Sequence, residues 1–124
     1  MSLASIAVFK SLTAEALSRL EQGSLRLEPH DGMAIFSQGD PADSVYAIIA
    51  GDGHVRIGAM DRGSKALMVE VFRPGEIFGE IGVIDGGART ASALAKGRLQ
   101  LAKIRAPVFV SVLADCPDLG AGLC

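Results

Sequence analysis

Phe78-Gly79-Glu80-Ile81-Gly82-Val83-Ile84-Asp85-Gly86-Gly87-Ala88-Arg89-Thr90-Ala91-Ser92-Ala93-Leu94-Ala95 is the stretch whose reading decides this chain. A short apolar strand end, Glu76 to Phe78, meets Gly79, which lets backbone approach a ligand closely. Glu80 to Ile84 then has the composition of one or two helical turns. The first N–H groups of a helix have no partner within it and sit at the positive end of its dipole, so an anion can bind there. Asp85 to Ala88 is a small-residue return that can bring the Arg89 guanidinium back over those amides as the countercharge. Thr90 to Ala95 alternates and reads as a strand. An acceptor carboxylate, Glu80, and a forked donor, Arg89, nine positions apart, suit a ligand with both hydroxyl and phosphate, and a nucleotide has both. The plainer alternative is a loop ion pair between Glu80 and Arg89, worth only ~0–1 kcal/mol at a surface. Gly79, Gly82 and the short helix favour the ligand.

The run from Gly79-Glu80-Ile81-Gly82 through Ala88-Arg89-Thr90-Ala91 resembles the phosphate-binding cassette of cyclic nucleotide-binding domains, found in catabolite activator-like regulators, cyclic-nucleotide-dependent kinases and gated channels. The resemblance implies that Glu80 accepts from the ribose 2′-hydroxyl, that Arg89 pairs with the cyclic phosphate, and that the amides after Glu80 hold its oxygens. It extends to Phe36 to Ser44, Tyr46 to Gly51 and Arg73 to Glu80, covering roughly Phe9 to Leu119. It also aligns Ile57 and Val69 with apolar contacts to the base, to which Phe72 is added as a candidate; for all three, and for Tyr46, plain core is the default. The Thr90 hydroxyl has three open roles: capping a phosphate oxygen, touching a purine edge, or filling a strand position. Relatives of either base preference carry a hydroxyl there, so cyclic AMP and cyclic GMP both remain candidates, and the mainly apolar base surface implies weak discrimination.

Composition bounds the answer independently. With 124 residues, 49% of them hydrophobic, residues 1–124 form one globular domain. The net charge is −2 and the 12 Lys and Arg are scattered singly, so no basic stripe for nucleic acid exists. No 18-residue apolar run can span a membrane, and no secretory signal precedes the domain, which points to the cytoplasm. Met1-Ser2-Leu3 is compatible with a cloning remnant. Cys116 and Cys124 lie near the end without a nearby histidine and read as incidental, so no metal site is expected.

In chain order, Thr13 is a candidate N-cap, with Leu12 placed to staple onto Leu17, for a helix running to about Glu21 and stopped by Gln22-Gly23. Its short apolar set places it on the outside of something larger. Strands follow: Ser24 to Glu28 with Leu25 and Leu27 inward, Met33 to Phe36, and Val45 to Ala50 after the Gln38–Ser44 loop. Gly51-Asp52-Gly53 reads as a hairpin turn into His54 to Met60, and Asp61 to Ser64 as another turn into Ala66 to Phe72. There Leu67, Val69 and Val71 oppose Met68, Glu70 and Phe72. After the cassette, Arg98 to Ile104 is the last strand, and Pro107 opens a helix over Val108 to Leu113, ended by Asp115-Cys116-Pro117. Strand spacing of this kind means an antiparallel sandwich or barrel. With the resemblance, the expected fold is mainly β, an antiparallel double-stranded β-helix (jelly roll) with short flanking helices. The family's long helix over the base has no evident counterpart in Asp118 to Cys124.

Two rivals come from other classes. A cupin-like enzyme would need clustered histidine and glutamate ligands, yet His30 and His54 are 24 positions apart, and no nucleophile elbow or Walker lysine occurs, so no catalytic residue is assigned. A jelly roll that has kept only an interaction surface is the other. The reading favoured is a regulatory sensor of cyclic AMP or cyclic GMP, needing no cofactor and no metal and touching neither nucleic acid nor membrane itself. Homodimerisation is compatible with it, and the output would lie outside this chain, in a transcription regulator, a channel or a kinase.

Overall fold

The computed structural model describes residues 3–60 and 66–115. Among the described residues, eight strands form two four-stranded antiparallel sheets. β1 (Ser24–Leu27), β3 (Ser44–Gly51), β6 (Ile77–Phe78) and β8 (Leu99–Arg105) make the first, in the order β1-β8-β3-β6. β2 (Ala34–Phe36), β4 (His54–Met60), β5 (Ala66–Phe72) and β7 (Ser92–Lys96) make the second, in the order β2-β7-β4-β5. The chain changes sheet at almost every connection, and only β4 and β5 are sequence neighbours that pair. This is the jelly roll that the strand spacing and the resemblance implied.

The first sheet is covered on both faces, which explains the unbroken apolar run of β3. Val45, Ala47 and Ile49 face a helical layer, while Tyr46 and Ile48 face the second sheet. The helical layer consists of 3-10 turns at Leu3–Ser5 and Ala7–Phe9, α1 (Ala14–Gln22) and α3 (Ala106–Asp115). Leu3, Ile6, Phe9, Leu20, Phe109 and Val112 are fully buried there, each such side chain contributing ~1.5–3 kcal/mol. Leu3 therefore belongs to the core, and its N–H donates to Glu21 Oε1 at 2.8 Å. Thr13 caps α1 as expected, accepting from the Ala16 N–H at 3.1 Å. The α1 helix packs on α3 and the first 3-10 turn, tied by Arg19 to Ser111 and Asp115.

Several local expectations are corrected. Leu25 is 63% exposed, whereas Leu27, on the same face of β1, packs against the cluster between the sheets. Gly51-Asp52-Gly53 is a corner between sheets, not a hairpin: β3 pairs with β6 and β8, and β4 with β5 and β7. The corner is packed so closely on the β7–β8 connection that a Cβ on Gly53 would lie 2.0 Å from the Lys96 carbonyl oxygen. β7 begins at Ser92, leaving Thr90 and Ala91 in the bend before it. In β5, Val69 and Val71 are the outward, exposed residues, while Phe72 turns inward. The Asp61–Ser64 turn, Cys116, Pro117 and the segment from Asp118 to Cys124 lie outside the described residues.

Candidate ligand-binding site

The site is built around Arg89, which is only 5% exposed. Its backbone is held by the loop after β2: the Arg89 N–H donates to the Asp40 carbonyl at 2.7 Å, and its carbonyl accepts from the Gly39 N–H at 2.8 Å. A bridge between Pro41 and Ala88 and a bond from the Ala42 N–H to the Gly87 carbonyl continue this zipper. The guanidinium passes inward over Phe36, with its central carbon 4.2 Å from the ring centroid. Below lies an aromatic cluster between the sheets, in which Tyr46 stacks on Phe78 at 5.3 Å.

Nη1 donates to the Gly79 carbonyl at 2.6 Å and Nη2 to the Ser44 carbonyl. Nε is buried without a protein partner. Among the described residues the ion pairs are Arg19–Asp115 and Arg26–Glu21, so the plain Glu80–Arg89 salt bridge does not form. Burial lowers the Arg89 pKa, opposed by Tyr46, Asp43, Asp40 and Glu80. A buried guanidinium met by carbonyl dipoles and an aromatic face, without a carboxylate bonded to it, retains a net demand for an anion.

Gly79 and α2 (Glu80–Asp85) follow β6 directly. Gly79 has φ +82°, a left-handed conformation, and a Cβ there would lie 2.9 Å from Arg89 Nη1. Glu80 opens α2, and its Oε2 is buried without a hydrogen-bond partner. Burial raises its pKa above the ordinary carboxylate value; a bond to its own backbone amide opposes this, Glu70 adds to it, and Arg89 weakly opposes it. Among the described residues, Glu80 Oε2 and Arg89 Nε are the buried side-chain atoms left without partners, and both residues line one cavity.

That cavity measures about 430 Å³, within the range of small-molecule sites. All eight cassette residues named from the sequence line it: Gly79, Glu80, Ile81, Gly82, Ala88, Arg89, Thr90 and Ala91. Ile57 and Phe72 line it as well. Val69 does not, because β5 alternates and Val69 is on the opposite face from Phe72; Glu70 shares the parity of Phe72 and lines the cavity instead. Phe36, Glu70, Asp85 and Gly87 also line it without having been named from the sequence as site residues; for Glu70 the signal was parity, since a strand that turns Phe72 inward cannot also turn Val69 inward. Two other clefts are larger, about 770 Å³ at the strand ends near His30 and Arg98 and about 510 Å³ between α1 and α3. Neither contains an unpartnered buried side-chain atom, and the chemistry of the lining outweighs volume.

A family model described as the cyclic nucleotide-binding domain matches residues 26–116. The CRP-like cAMP-activated global transcriptional regulator of Mycobacterium tuberculosis is 28% identical over 124 residues, 98% of this chain and 53% of that protein. The chain thus spans about half the length of the curated relatives it matches. Among solved structures, the sensor domain of the transcriptional regulator DNR from Pseudomonas aeruginosa superposes with a TM-score of 0.84 at 26% identity, covering 98% of this chain and 80% of that one. The Thermus thermophilus catabolite activator protein gives 0.78 at 27% identity, covering 94% and 54%.

Proposed function

The chain belongs to the cyclic nucleotide-binding domain family, and from that membership we propose that the cavity under α2 binds a cyclic purine nucleotide reversibly, as the sensing step of a regulator. The phosphate sits against Arg89 and the first amides of α2, and the ribose 2′-hydroxyl donates to Glu80. The observation that carries this reading is that the two residues holding an unpartnered buried side-chain atom, Arg89 with a guanidinium N–H and Glu80 with a carboxylate oxygen, line one cavity. A cyclic nucleotide brings an anion for the first and a hydroxyl donor for the second.

The charge of the lining supports the same division of labour. Glu70, Glu80 and Asp85 outnumber Arg89, so a purely anionic ligand is poorly matched, whereas one with a single charged end and several donors fits. No metal or organic cofactor enters this scheme. The formal charge of −2 leaves nucleic-acid contact to other parts of a longer regulator, for which the transcriptional regulators among the relatives provide the pattern. Titration calorimetry with cyclic AMP and cyclic GMP, followed by chromatography of the recovered ligand, tests the proposal. Binding with the nucleotide recovered intact is the expected result. No heat with either nucleotide would favour an interaction module, and consumption of the ligand would favour an enzyme.

A further inference from the structure

We propose that Glu70 is a base-reading residue, accepting a hydrogen bond from an N–H donor of the purine. The inference rests on the cyclic-nucleotide reading of this cavity and adds a specificity element to it.

Ile57 and Glu70 are directly paired across β4 and β5, and both line the cavity, with Phe72 on the same face two residues further along β5. Arg89 with the α2 amides, and Glu80, mark the phosphate and ribose positions at the cassette. The β4–β5 wall is therefore what remains for the base. It offers an apolar surface from Ile57 and Phe72 and one charged group, Glu70. Glu70 and Glu80 line the same cavity. Among the described residues it has no ion-pair partner, so its oxygens are available to a ligand.

An ionised carboxylate only accepts hydrogen bonds. Adenine presents an amino group, and guanine an amino group beside a ring N–H, so either can supply the donor. Unsubstituted purine presents no N–H when attached to ribose, yet it has nearly the same size and stacking surface. Glu70 is exposed, so water competes for the contact, and the expected discrimination is about fivefold to tenfold, below that of a fully buried charged hydrogen bond.

The test measures affinities of cyclic AMP, cyclic GMP and the 3′,5′-cyclic monophosphate of purine riboside for the wild-type chain, Glu70→Gln and Glu70→Leu. Wild type should bind at least one amino-bearing nucleotide about fivefold to tenfold tighter than the purine analogue, and whichever of the two shows the gain identifies the edge that is read. In Glu70→Leu the difference should fall to about twofold or less; Glu70→Gln should retain part of it through its carbonyl. Equal binding of all three by wild type, or a preference that persists in Glu70→Leu, overturns the role of Glu70 while leaving the cavity assignment intact. Binding of none of them, in a chain whose melting transition is cooperative, overturns both.

Discussion

At Arg89 burial and bonding pull in opposite directions, and the balance changes what its removal should do. Leucine there relieves the cost of a buried cation but leaves the Gly79 and Ser44 carbonyls without a donor, at ~1–3 kcal/mol each. With two backbone segments held by one side chain, the expected outcome is a loss of ~1–3 kcal/mol in denaturant melts without ligand. Cyclic nucleotide affinity should fall by a further ~3–5 kcal/mol equivalent, and stabilisation by ligand should vanish. A variant that melts like wild type and still gains stability from ligand would remove Arg89 from the phosphate site. Glu80 gives a pH test with a definite sign. Its folded pKa is raised, so the folded state holds the proton more tightly, and the resulting stability is present below the ordinary carboxylate pKa and lost as pH rises through the raised one. Melts at pH 4 and pH 7 should show Glu80→Gln gaining on wild type at the higher pH; a constant difference would mean that the carboxyl is not desolvated. Toward ligand, Glu80→Gln should lose ~1.5–3 kcal/mol, and a 2′-deoxy nucleotide should cost wild type more than it costs the variant. The cassette was legible because its residues are close in sequence. The partners of Arg89 were not, since Ser44 is 45 positions away and nothing local marks its carbonyl as an acceptor.

At the scale of elements, turns show where local reading stops. Gly51-Asp52-Gly53 has the composition of a hairpin, but whether the flanking strands pair or part depends on β7 and β8, some forty residues later. Alternation fixes which face a residue is on but not whether that face is covered: Leu25 and Leu27 share a face of β1, yet Leu27 packs against the core and Leu25 is exposed. Two glycine substitutions separate fold from site. Gly53→Ala forces a methyl into the Lys96 carbonyl and should cost ~1–3 kcal/mol of stability, with ligand affinity nearly unchanged in the folded fraction. Gly79→Ala strains a left-handed position by ~1–2 kcal/mol and also pushes on Arg89 Nη1, so it should weaken binding as well. Equal effects of the two on calorimetric affinity would show that Gly79 does not set the position of the arginine.

Across the whole molecule, α2 lies between the candidate cavity and the helical layer. Glu80, Ile81 and Gly82 line the cavity, while Val83, buried on the other side of the same short helix, belongs to the cluster that contains Phe109 and Val112 of α3. A shift of α2 on binding cannot leave that packing unchanged, because close-packed side chains transmit displacement. The α3 helix is in turn tied to α1 through Arg19, so the two flanking helices should respond together. Allosteric coupling requires an element with two positions that ligand biases, and these helices are the candidates, since the sheets beneath are held by antiparallel ladders. Hydrogen exchange gives the test. Saturating cyclic nucleotide should slow exchange at the Gly39, Ala42 and Arg89 amides, whose acceptors lie in the zipper around the site, and should also change exchange along Phe109 to Val112. Val83→Ala should cost ~1–3 kcal/mol of stability, keep affinity within a few-fold, and blunt the response of α3 while leaving that of the zipper. If α3 responds equally in Val83→Ala and wild type, the signal leaves the cavity by another route, and the packing of Val83 serves stability alone.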